Sequence, residues 1–163
     1  MEAEGTLTLV AEVSVAFAGF TSVVGVFGRR GAGAWSARQL ASLRLLIETS
    51  LIMLLTALLP LALHSSGLTA PEAWAMASGI KAAQMLLYWG LSFRRLRRFS
   101  DYNRSVFIAG IGVDLAFFGA QVLNAVGFFE TPAAPYIAHL YYLVLAACAS
   151  FVGVVAPLWQ TGE

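Results

Sequence analysis

Five stretches of this chain are too long and too apolar to fit inside a soluble domain of its size. They run over residues 6–27, 41–63, 71–93, 105–129 and 136–159. The first reads TLTLVAEVSVAFAGFTSVVGVF and the fourth SVFIAGIGVDLAFFGAQVLNAVGFF. A helix needs roughly 20 mostly apolar residues to cross the hydrocarbon core, and each stretch supplies them. In lipid, backbone donors and acceptors must be satisfied by the chain itself, which leaves helices and closed barrels as spanning structures. Barrel strands read as alternating segments of about ten residues, a pattern missing here. The expected fold is therefore an all-α integral membrane protein. Residues 1–163 form one transmembrane domain, a bundle of five helices. Four helices and a re-entrant fifth segment are the alternative.

Composition agrees. The 163 residues are 59% hydrophobic and only 12% charged, against about a quarter charged in ordinary soluble domains. The start, MEAEGT, is acidic. It lacks the basic region of a secretory signal, so the first stretch reads as a retained span. One cysteine, Cys148, excludes an intrachain disulfide and any paired-cysteine site.

Arginine placement sets the expected orientation. Arg29, Arg30, Arg38 and Arg44 lie in or beside the first connection, and Arg94, Arg95, Arg97, Arg98 and Arg104 in the third. The second and fourth connections have none, nor do the two tails. Positive residues stay on the cytoplasmic side. That puts the N-terminus outside and, with five spans, the C-terminus inside, as in a bacterial inner (plasma) membrane protein. The run RRLRR places Arg94, Arg95, Arg97 and Arg98 at lipid headgroups, as topogenic charge or as a contact for anionic lipid. Nucleic-acid binding is not expected of so short a loop at a membrane surface. Trp35, Trp74, Trp89 and Trp159 fall near span ends, as an aromatic belt would.

The candidate site residues are polar groups at depth. A charge inside a bilayer costs about 2.5 to 3.5 kcal/mol on insertion scales and usually faces a bundle interior. Lys81, the single lysine, lies about 20 Å from the arginine edge of its span and about 15 Å from the other, at 1.5 Å per residue. It is too deep to snorkel. Gln84 and Tyr88 follow it on one helix face. Asp114 lies about 15 Å deep in the adjacent antiparallel span, with Gln121 two turns on. An ion pair between Lys81 and Asp114 is expected, with Gln84, Tyr88 and Gln121 extending a polar path or gate. Glu12 and His139 lie nearer the outer edge and read as an outer mouth. Arg44 and Glu48, four residues apart near the inner edge, can pair within their helix and read as an inner mouth.

No phosphate loop, nucleophile elbow or zinc-protease motif is present. His64 and His139 alone do not argue for haem, and no metal or other cofactor is expected. The leading functional expectation is a small oligomeric channel or transporter for a small ion, with membrane lipids and further copies of the chain as its partners. A non-catalytic accessory or structural subunit of a larger membrane complex is the alternative. A membrane enzyme acting on a lipid or quinone is a second alternative. No catalytic residue is assigned.

Overall fold

The structure is a computed structural model that describes residues 3–31, 37–96 and 104–160. Among these residues there are five helices and no strand: α1 (Glu4–Gly31), α2 (Ala37–Ser65), α3 (Ala70–Leu96), α4 (Arg104–Ala125) and α5 (Ala133–Gln160). Three carry segments long and apolar enough to cross a bilayer: Glu4–Gly25 in α1, Gln39–Ser65 in α2 and Ala133–Val155 in α5. Ile111–Ala125 in α4 is a shorter apolar segment.

Large apolar side chains point outward on every helix. Leu9, Leu55, Leu87, Val113 and Leu145 are all exposed. Exposed apolar surface of this extent marks contact with lipid or with other apolar surface.

Local chemistry fixes the helix ends. At the start of α3, Glu72 Oε2 accepts from the backbone N–H of Thr69 at 2.9 Å and from its hydroxyl at 2.7 Å. This is the carboxylate half of a capping box. At the end of α4, Gly127 takes φ +78°. Phe128 N–H donates to Leu123 O and Gly127 N–H to Asn124 O, at 3.0 and 3.1 Å. These paired bonds close the helix in a Schellman motif, which needs a left-handed residue that glycine adopts without strain. The fourth element thus stops at Ala125, short of the 129 expected from apolarity alone. In α2 the helix continues through Pro60 to Ser65. Membrane helices tolerate such prolines.

The chain divides into two compact units. Unit 1 comprises residues 1–59 and 140–163, and unit 2 comprises Pro60–His139. Unit 1 has an apolar interior of Leu7, Val10, Leu46, Met53, Ala57, Ala147 and Val154. Phe151 of α5 packs against Phe17 and Phe20 of α1, with ring centroids 6.0 and 4.6 Å away. α2 and α5 come close at Gly153, where a Cβ would sit 2.9 Å from Ser42 Oγ. Small residues permit such approaches between membrane helices.

Unit 2 packs α3 against α4 and adds the first turns of α5. Aromatic contacts tie it together. Trp74 meets Tyr136 edge-on at 5.4 Å, and Trp89 meets Phe118 at 5.4 Å. Trp74 is buried, so it is a packing residue of this unit rather than an interfacial anchor. Trp35 lies outside the described residues, as does the side chain of Trp159.

Candidate functional site

The site grows from one stripe on α4. Asp114, Phe117, Gln121 and Asn124 recur at spacings of three and four, so they share a face. α3 offers Trp74, Ser78, Lys81 and Met85 in the same way, all of them buried. α5 contributes Tyr136 and His139, also buried. Three helices of unit 2 therefore turn polar and aromatic side chains toward a common interior.

At the end of this interior near the α4–α5 connection, Asn124 is almost completely buried. Its amide donates to Ser78 Oγ at 2.7 Å and to Pro132 O at 2.8 Å. One turn back, Gln121 donates to Pro135 O at 3.2 Å. The two amides hold the connection and the start of α5 against α3 and α4. Their carbonyl oxygens, Gln121 Oε1 and Asn124 Oδ1, are buried and accept no hydrogen bond among the described residues. A buried acceptor without a donor is costly, and such groups usually hold water or another proton-bearing species.

Further along lies Lys81, 2% exposed. Its Nζ donates to Gln84 Oε1 at 3.0 Å. Asp114, half-buried on α4, is near enough for its charge to act on Lys81. The charge of Lys81 in turn acts on His139. The His139 ring stacks on Phe117, with centroids 4.8 Å apart and planes 11° from parallel. Asp114 of α4 and His139 of α5 thus both lie within electrostatic reach of the buried Lys81 of α3.

The sequence-expected residues divide as follows. Lys81, Gln84 and Asp114 come together. Tyr88 is half-buried two turns along α3 from Lys81. Gln121 lies on the stripe but is engaged with the α4–α5 connection. His139, expected at the outer mouth, falls in unit 2 within reach of the Lys81 charge, whereas Glu12 belongs to unit 1. Arg44 and Glu48 form the local pair, with Nε donating to Oε1 at 2.7 Å on the surface of α2. Arg94 and Arg95 fall in the last turn of α3. Their side chains, and Arg97 and Arg98 entirely, lie outside the described residues. Ser78 and Phe117 were not anticipated, and Asn124, a polar residue nearer the outer edge, was assigned no role. The signal for the last two was present, because they interleave with Asp114 and Gln121 on the α4 stripe.

Glu12 has different surroundings. It is exposed, and it lines a groove of about 370 Å³ with Thr8, Ala11 and Val15 of α1 and Leu54 and Leu58 of α2. Among the described residues no group of three or more His, Cys, Asp or Glu side chains is arranged to hold a metal ion. The chain matches no family model, no curated protein and no solved structure.

Proposed function

We propose that this chain moves a small ion, best read as a proton, across a membrane, and that the Lys81–Asp114–His139 region of unit 2 is its gating or relay element. The observation that carries the reading is a lysine 2% exposed that feels the charge of a carboxylate on a second helix and whose own charge reaches an imidazole on a third. Ionisable groups at membrane depth are expensive to keep and commonly mark ion or proton pathways. All three groups exchange protons, and neighbouring amide oxygens at Gln121 and Asn124 are open to a donor such as water. In this proposal α3 and α4 also cross the bilayer. In the same proposal the membrane is a bacterial plasma membrane with the N-terminus outside and the C-terminus inside, an orientation that the arginine distribution supports. The exposed apolar faces pack against lipid and further copies in a homo-oligomer.

The test is flux through proteoliposomes of wild type and Lys81→Met, read with an internal pH dye under an imposed voltage and pH gradient. Wild type should carry protons and the variant should lose most of that flux. A silent wild type ends the transport reading. Equal flux from both proteins removes Lys81 from the path.

One observation favours the alternative of a non-catalytic accessory subunit. The bonds of Asn124 to Ser78 and to Pro132 are the kind that only fix helix packing. A silent wild type that copurifies with a larger membrane complex would support that reading.

A further inference from the structure

Glu12 lies eight residues beyond the start of α1, about 12 Å along the helix axis at 1.5 Å per residue. The apolar segment of α1 begins at the same residue, Glu4. A hydrocarbon leaflet is about 15 Å thick, so Glu12 sits well inside it when α1 spans. Its side chain is exposed and makes no hydrogen bond or ion pair among the described residues. The walls of its groove are Ala11, Val15, Leu54 and Leu58. The one neighbouring hydroxyl, Thr8, already donates to Glu4 O at 3.0 Å. Among the described residues, Glu12 is therefore the one anionic group lining the groove.

The volume of about 370 Å³ falls within the range of small-molecule sites, about 300–1,000 Å³. The chemistry narrows the occupant. A carboxylate at this depth calls for a counter-charge, and the apolar walls call for a hydrophobic body. A lipid acyl chain supplies the body without the charge. A second copy of this chain would have to bring a cation to that level. Its single lysine is buried beside Gln84, its described arginine side chain is paired with Glu48, and its other arginines cluster in two connections. A bare metal ion meets one carboxylate and hydrocarbon. A cation carried on an apolar scaffold meets both requirements.

We propose that the α1–α2 groove of unit 1 binds a lipophilic organic cation, such as a quaternary phosphonium or ammonium ion or a protonated amphiphilic amine. Glu12 is its counter-ion, and Val15, Leu54 and Leu58 contact one side of its body. This site is independent of the Lys81 region, and its test does not use ion flux.

The experiment measures binding of radiolabelled tetraphenylphosphonium to the full-length protein in nanodiscs of zwitterionic lipid, with empty discs as background and triphenylphosphine oxide as an uncharged competitor. Wild type should bind saturably, near one cation per chain. Glu12→Gln should weaken binding about tenfold or more, the loss expected for one charge-assisted contact. Leu54→Trp, which fills the groove and keeps the carboxylate, should weaken it as well. Glu12→Asp retains the charge and should bind close to wild type; should Glu12→Gln fail to fold, binding by Leu54→Trp equal to wild type overturns the proposal on its own. Uptake equal to that of empty discs overturns the proposal. So does equal binding by wild type and Glu12→Gln, or equal competition by the uncharged compound. A Glu12→Gln protein that changes oligomer size with unchanged cation binding would instead make the groove a contact between copies, which also overturns it.

Discussion

In unit 1 four of the six buried hydroxyls, those of Ser14, Thr21, Ser50 and Ser150, donate to carbonyls three or four residues back in their own helices, at 2.6 to 3.1 Å. In unit 2 the buried amides of Gln121 and Asn124 reach other elements, to Ser78, Pro132 and Pro135. The first arrangement satisfies each group whatever its neighbours do. It leaves helix contacts to apolar packing and to small residues such as Gly153. The second satisfies polar groups only in one arrangement of α3, α4 and the start of α5. A unit that holds Asp114 and His139 in reach of a buried Lys81 needs that specification. A unit with an apolar interior does not. The difference separates polar residues that are merely tolerated from polar residues that define a site.

The strongest challenge to this contrast is Asp114→Ala. Lys81 would then remain buried with its carboxylate neighbour gone; because Asp114 is half-buried, the cost should be about 3 kcal/mol, the low end for breaking a buried pair from one side. Lys81→Met with Asp114→Leu removes both charges and should fall near neutral or above wild type, since apolar replacement of a buried pair is often stabilising. Unfolding in mixed micelles followed by circular dichroism would show it. A single variant as stable as wild type would mean that the Asp114 charge does not support Lys81.

Next in size is Asn124→Ala. It removes the bonds to Ser78 and Pro132, each worth about 0.6 to 1.7 kcal/mol between membrane helices. A loss of about 2 kcal/mol is expected in the same assay, together with faster hydrogen exchange in residues 128–136. A loss confined to stability, with exchange unchanged, would show that the amide does not hold the α4–α5 connection.

The apolar runs made the existence of all five helices legible, because little else suits such runs. Their ends were less so. Gly127 closes α4 and Thr69–Glu72 opens α3 through local bonds that hydropathy does not weigh, while Pro60 sits inside α2 without ending it. Counting depth along antiparallel neighbours brought Lys81 and Asp114 to one level, because rise per residue is fixed. The surroundings of His139 were not legible. They depend on how α5 is rotated and on the short connection that delivers it, neither of which periodicity sets. Asn124 stands out in the sequence as a polar residue nearer the outer edge, but its bonds to Ser78 and Pro132 depend on packing that sequence does not show. Depth is a one-dimensional quantity and can be counted; azimuth and packing depend on partners distant in sequence.

In unit 1 the contrast is sharpened at the α2–α5 contact. A methyl at Gly153 would lie 2.9 Å from Ser42 Oγ and 3.5 Å from Ser42 Cβ. The hydroxyl must turn away or the helices must part. Gly153→Ala should therefore cost about 1 kcal/mol, the low end of overpacking. Ser42→Ala in the same chain should relieve most of it, because the remaining Cβ contact is of ordinary length. Strictly additive single-variant effects in a double-mutant cycle would show that the two positions are not in contact.

The smallest effects should come from Ser14→Ala, Ser50→Ala and Ser150→Ala. Each hydroxyl gives its proton to a carbonyl four residues back. Such carbonyls usually accept a helical backbone bond as well, so no acceptor is stranded when the hydroxyl goes. Side-chain bonds of this kind slightly destabilise or bend helices, and the methyl that replaces the hydroxyl is better solvated by an apolar interior. Each change should stay within about 0.5 kcal/mol of wild type, as substitutions that strand no partner do. Ser78→Ala in unit 2 is the matched comparison. It removes the same hydroxyl but takes an acceptor from the buried amide of Asn124, so it should cost about 1 kcal/mol or more. Equal losses at Ser14 and Ser78 would mean that the cross-element bond adds nothing to an intrahelical one, and the distinction between the two interiors would fail at its most direct comparison.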